Sequence, residues 1–177
     1  MKVFVAGPRA ISNLNGKVKE RLTNIINNNF TNLVGDADGA DKQIQKLCYS
    51  LNYKNVRVFA SNGKVRNNIG QWEVEKVEVA DNIRGFDFYA AKDLEMAKNA
   101  DYGFMIWNGK SKGTLNNMGN LVKLHKKVLV YLTPDKQFYT ICSSGDIKKL
   151  ISNEADTVTG AKFDNTFKNN EQLSLFN

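Results

Sequence analysis

Thr31-Asn32-Leu33-Val34-Gly35-Asp36-Ala37-Asp38-Gly39-Ala40-Asp41, with Lys42 to Leu51 behind it, is the stretch from which the fold can be read. Thr31 to Val34 is short and mostly apolar, as a buried strand requires. Beyond the turn, Ile44, Leu47, Cys48 and Leu51 recur at a helical spacing. Between strand and helix lie two glycines and three aspartates. Such a turn exposes the first free N–H groups of the helix. Those groups favour a phosphate or a sugar hydroxyl, and glycine lets the ligand come close. The plainer reading is a turn without a ligand, in which Asp38 or Asp41 caps the helix.

The same unit recurs along the chain. Lys2 to Ala6 predicts a strand that runs into Gly7-Pro8-Arg9, and Val18, Leu22, Ile25 and Ile26 then mark an amphipathic helix. Further strands are expected at Asn55–Ala60, Tyr102–Trp107 and Val128–Leu132. Helices are expected at Phe86–Ala100, through Phe88, Ala91, Leu94 and Ala97, and at Gly113–His125. Ser61 to Arg84 has no clean period and reads as a lid or a short helix over a site. Phe138–Cys142 adds an edge strand and Asp146–Ile151 a short helix. The alternation predicts an α/β, Rossmann-like parallel sheet of about five strands with helices on both faces. Residues 1–151 form that domain, and residues 152–177 read as a polar, flexible tail. Ligands of such sheets sit at the carboxyl ends of the strands. Gly7-Pro8-Arg9, Gly35 to Asp41 and Asn108 to Asn117 all leave carboxyl ends, so three polar turns are expected on one rim.

Composition narrows the classes. A hydrophobic content of 42% with 24% charged residues is that of a globular protein. No apolar run approaches a membrane span, and the N-terminus enters its first strand too soon for a signal peptide. A cytoplasmic location is expected. Two cysteines, Cys48 and Cys142, do not make a disulfide framework. With one histidine, His125, they do not make a zinc site either, so no metal and no cofactor are expected. The net charge of +7 suits anionic ligands, but the lysines are scattered rather than blocked, so direct nucleic acid binding is weakly supported.

Gly109-Lys110-Ser111-Lys112-Gly113-Thr114 follows the fourth strand and opens a helix. Gly113 and Thr114 can offer N–H groups and a hydroxyl to an anion, with Lys110 or Lys112 nearby. The spacing is not that of a Walker loop, and an ordinary capped helix is the alternative. Trp72, Tyr89 and Trp107 are candidates to stack on a base, Trp107 foremost because it leaves the fourth strand beside this turn. Arg66 and Arg84 reach an anion only if the unpatterned middle folds over the pocket. His125 reads as a solvated helix end. Ser61, Ser111 and Ser143 lack the elbow pattern of a serine hydrolase.

The Gly7-Pro8-Arg9 turn, the Gly35–Asp41 turn, the Asp93–Asp101 helix end and Gly113-Thr114 with Gly119 together resemble the SLOG superfamily. That Rossmann-like group includes the DNA-processing protein DprA and the LOG phosphoribohydrolases, with nucleoside deoxyribosyltransferases as similar relatives. The resemblance covers roughly residues 1–133. It implies a pocket for a nucleotide or nucleotide-derived ligand lined by Gly7, Pro8, Arg9, Gly35, Asp36, Asp38, Gly39, Trp107, Gly113, Thr114 and Asn117. Catalytic members carry Gly-Thr-x-x-Glu-x-Gly, where the glutamate works on the ribose. Here Asn117 stands at that position, and an amide cannot serve as nucleophile or general base. Binding in a sensor, sequestering or regulatory role is therefore favoured over N-glycoside hydrolysis or deoxyribosyl transfer. An enzyme would need Asp36, Asp38 or Asp93 as the substitute carboxylate. A DprA-like, DNA-associated role is a further reading, and homo-oligomers are common among related folds. Near the end, Gln172-Leu173-Ser174-Leu175-Phe176 resembles the peptide that binds the sliding clamp, which implies a clamp partner and a bacterial or phage source.

Overall fold

The computed structural model describes residues 1–152. The clamp-like peptide Gln172–Phe176 and the rest of the tail lie outside the described residues. Seven strands and five helices alternate in the order β1 (Lys2–Ala6), α1 (Gly16–Asn27), β2 (Thr31–Gly35), α2 (Ala40–Ser50), β3 (Val56–Ser61), β4 (Glu73–Val77), α3 (Gly85–Asn99), β5 (Tyr102–Trp107), α4 (Lys112–Lys123), β6 (Val128–Leu132), β7 (Gln137–Ile141) and α5 (Ser144–Ile151). They form one sheet in the order β4-β3-β2-β1-β5-β6-β7. Every pairing is parallel except the β6–β7 hairpin. The Rossmann-like α/β expectation is thus met, with seven strands where about five were expected.

Strand alternation sorts the side chains into two cores. Val3, Val5, Phe104 and Ile106 face α1 and α2, where Val18, Leu22, Ile25, Ile44 and Cys48 pack on them. Phe4, Met105 and Trp107 face the other way, onto Met96, Ala97, Met118 and Leu121 of α3 and α4. Among the described residues no helix is long and apolar enough to cross a membrane. Both cysteines are free; Cys48 is buried and Cys142 exposed.

Two local expectations need correction. The segment 61–84 is neither a helix nor a simple lid, because it contains β4, which pairs with β3 from Arg57↔Glu73 to Ser61↔Val77. Arg57 bonds Glu75 across that edge at 3.4 Å. The apolar stripe of α3 is also turned. Leu94 is 40% exposed, whereas Lys92, Met96 and Ala97 are buried.

β1 sits at the centre, with β2 on one side and β5 on the other, so the strand order reverses between β1 and β5. Chain leaving β1 meets the start of α2 at this point. Pro8 O accepts the Ala40 N–H at 3.2 Å. Gly39 has φ +81°, and a β-carbon there would lie 2.2 Å from the Arg9 carbonyl oxygen. Both the backbone angle and the contact demand glycine. Substituting Gly39→Ala is expected to cost ~2–4 kcal/mol by urea unfolding, from strain plus overpacking. Gly119→Ala, whose β-carbon meets open space inside α4, is expected to gain up to ~1 kcal/mol. Equal stability of the two variants would contradict the close contact.

Candidate functional site

The carboxyl rim is built around one buried cation. Lys92, on the inward face of α3, is 4% exposed. Its ammonium lies 2.7 Å from Asp93 Oδ1 and 3.9 Å from Asp36 Oδ1. Asp41, at the first turn of α2, is the third carboxylate of the group. Gly35 ends β2 directly beneath them. A β-carbon on Gly35 would meet Asp41 Oδ2 at 2.3 Å and Lys92 Nζ at 2.7 Å, so the missing side chain makes room for the ion cluster. Burial pulls the Lys92 ammonium toward deprotonation, but Asp93, Asp41 and Asp36 outweigh it and the net shift is upward. Burial pushes Asp41 up to about 6, with Lys92 opposing.

Asp36 is held from outside by the β3–β4 loop. Arg66 donates from Nη2 to Oδ1 at 2.6 Å and from Nε to Oδ2 at 3.0 Å, and its backbone N–H adds a bond at 3.1 Å. Burial would raise the Asp36 carboxyl, yet Arg66 and Lys92 together hold it below the usual range. Gln45 fixes this loop to β2: Nε2 donates to the Gly35 and Asn67 carbonyls, and Oε1 accepts the Ile69 N–H. Asp38 stands apart. Its side chain is exposed, meets Lys42 at 3.4 Å, and accepts from Asn67.

Above this layer lies Tyr89, 36% exposed on the first turns of α3. The Arg66 guanidinium carbon is 4.7 Å and the Arg9 carbon 5.1 Å from its ring centre. Among the described residues Arg9 makes no ion pair. On the far side, Asn117 joins the same group. With its amide nitrogen toward its acceptors, it donates to Asp93 Oδ2 and the Gly113 carbonyl, each at 3.2 Å.

The residues singled out from sequence thus divide. Gly7, Pro8, Arg9, Gly35, Asp36, Gly39 and Asn117 gather around the ends of β1, β2 and β5. Gly7 itself abuts Ala40 and Ile106, so the first and second turns and the end of β5 touch. Of the three proposed catalytic carboxylates, Asp36 and Asp93 share Lys92, while Asp38 faces solvent. Trp107 is 3% exposed in the core, and its indole N–H donates to the Ser111 carbonyl at 3.1 Å. Thr114 lies at the start of α4 and is buried. Its N–H and hydroxyl both donate to Ser111 Oγ, at 3.3 and 3.0 Å, so the β5–α4 turn spends these donors on its own cap. Trp72 is buried with its N–H on the Tyr53 carbonyl, and Arg84 bonds only nearby carbonyls. Lys92 and Gln45 were not anticipated, and Asp41 was expected only in the turn and as a helix cap. The one available signal was a lysine on the inward side of α3, masked by Leu94 and Phe88.

No protein-family model matches this sequence, and no curated protein matches it. Solved structures that align with this chain include the following two. DNA processing protein A from Helicobacter pylori, described for its single-stranded DNA binding mode, aligns with TM-score 0.54 and 16% identity. That alignment covers 73% of this chain and 64% of the other, leaving over a third of the longer protein unmatched. The molybdenum cofactor carrier protein MCP from Chlamydomonas reinhardtii aligns over 89% of this chain and 85% of its own, with 12% identity and TM-score 0.49. At such identity the first likeness establishes the Rossmann-like fold alone.

The buried carboxylates set a pH signature. Asp41 has a folded pKa near 6, above its ordinary 3.8, so the folded chain binds more protons than the unfolded one between those values. Stability contributed by this group therefore falls as pH rises from about 4 to 6 and stays lost above. Asp36, depressed when folded, acts oppositely, and its contribution disappears as pH drops below 3.8. Relative to Asp41→Asn, the native chain should lose up to about 1.4 kcal/mol per pH unit across the upper window. Urea unfolding at several pH values measures this, and parallel curves for the two proteins would contradict it.

Proposed function

We propose that this chain binds a nucleotide or nucleotide-derived anion at the carboxyl rim, in the manner of the SLOG group, and leaves it intact. The role is that of a sensor, sequestering protein or regulatory module. The carrying observation is the pair of guanidiniums on Tyr89, with Arg66 committed to Asp36 and Arg9 without a carboxylate. A partly exposed tyrosine beside two guanidiniums offers stacking partners to a planar base. A guanidinium without a carboxylate beside it accepts a phosphate in bidentate fashion. Both lie where the strand order reverses, the usual ligand position of such sheets.

Three features favour binding over cleavage. Asp36 is locked by Arg66 and Lys92, Asp38 faces solvent, and Asn117 supplies an amide where a catalytic carboxylate would be. The second reading is N-glycoside cleavage, and Asp93 supports it. Its carboxylate is partly exposed and lies within hydrogen-bond distance of Asn117, so α3 brings an acid group back to that position.

AMP titrated into the full chain by calorimetry tests the first reading. Arg9→Ala is expected to weaken binding about tenfold or more, the loss of one charge-assisted contact. Tyr89→Leu is expected to weaken it by a similar factor, while Lys19→Ala on α1 leaves it unchanged. Affinity unaffected by Arg9→Ala and Tyr89→Leu contradicts the reading. Release of free adenine that disappears in Asp93→Asn would establish the second reading instead.

A further inference from the structure

We infer that Asp41 is a proton switch beneath the rim site, which holds its anion tightly while this carboxyl is neutral and loosely once it ionises. The inference rests on the nucleotide reading above and adds how that site is regulated.

The balance of charges in the cluster leads to it. Three carboxylates, Asp36, Asp41 and Asp93, share this floor with two cations, Lys92 and Arg66. Arg66 takes Asp36 at 2.6 Å, and Lys92 takes Asp93 at 2.7 Å with Asp36 again at 3.9 Å. Asp41 makes no ion pair among the described residues. It is 6% exposed, and its one hydrogen bond among them is donated by the Ala37 N–H to Oδ2 at 3.2 Å. The surplus negative charge of the floor therefore falls on Asp41.

The groups around it come from every neighbouring element. Lys92 and Asp93 face it from α3, Asp36 from the turn after β2, and Arg66 from the β3–β4 loop. On its own helix, Lys42 pairs with Asp38 instead. Arg9, in the loop whose Pro8 carbonyl accepts the Ala40 N–H, lies over the Tyr89 ring. The start of α2 favours an ionised carboxylate, whereas burial beside two other carboxylates opposes it. The balance pushes Asp41 up to about 6.

An anion arriving at Arg9 adds a further negative charge at the same end of the sheet. One proton from solvent on Oδ1 neutralises Asp41 while Oδ2 keeps the Ala37 N–H, so relief needs no contact to break. Anion binding thus raises the Asp41 pKa. Affinity falls as pH rises through about 6 and levels off once the carboxyl is ionised in the complex as well. Two charges roughly 10 Å apart, at an effective dielectric of about 20, give a total change of about tenfold.

Calorimetric titration of AMP into the full chain and into Asp41→Asn, from about pH 5 to about pH 8, tests the switch. The phosphate of AMP also titrates in this range but does so with both proteins, so the ratio of their affinities isolates Asp41. The variant is expected to match the native chain near the acid end and to bind about tenfold more tightly near the alkaline end. A ratio that stays constant across the range overturns the switch and leaves the nucleotide reading standing. No AMP binding to either protein at any pH overturns both together. The Ala37 amide shift follows the same proton in the native chain, so the outcome does not depend on the variant folding. Its titration midpoint should rise by about one pH unit on saturation with AMP, and a midpoint that AMP leaves unmoved overturns the switch.

Discussion

The rim of this sheet depends on the Lys92 ammonium being surrounded by carboxylates from three separate elements. Moving an ammonium out of water costs several kcal/mol even after relaxation. A lysine this deeply placed is tolerated only because Asp93 on α3, Asp36 after β2 and Asp41 on α2 converge on it. Their convergence explains the bare α-carbon of Gly35 beneath them. It also explains why the end of β2, the first turn of α2 and the middle of α3 cannot move independently. Arg66 completes the balance from the solvent side by neutralising Asp36.

This arrangement separates holding from receiving. The inner charges pair with one another and pin the loops in place. The outer groups, Tyr89 and Arg9, remain available because Arg66 and Lys92 have already taken the nearby carboxylates. Lys92 and Arg66 offset two of the three aspartates in this floor, so its repulsion of a phosphate is cut to that of one net negative charge. The same matching restrains catalysis, since a carboxylate fixed by a guanidinium or an ammonium is a poor base. Asp93, shared between Lys92 and Asn117, is the group of the three closest to an open position.

Much of the fold was legible because its central strands are continuous apolar runs. Tyr102–Trp107 and Val128–Leu132 were bounded correctly from sequence for that reason. β4 was not, because Glu73–Val77 is an edge strand whose charged side chains face water and bond across to Arg57. The inward face of α3 was misassigned because hydropathy places Leu94 inside and Lys92 outside, and a long-range ion cluster reverses both. The rim's location followed from strand-end turns, whereas its contents did not. Arg66 meets Asp36 across 30 positions of sequence, a distance at which no local pattern announces a pair. Trp107 was credited with a ligand role because it neighbours the right turn, yet strand alternation sends it into the core.

The most direct measurement is the side-chain NMR titration of the Lys92 ammonium, followed by its Nζ and Cε shifts. With three carboxylates around it, the account predicts that Lys92 stays charged beyond the ordinary lysine pKa of 10.5 and that its shift moves when Asp93 or Asp41 is neutralised by substitution. A Lys92 that loses its proton near neutral pH, as an unpaired buried lysine does, would contradict it.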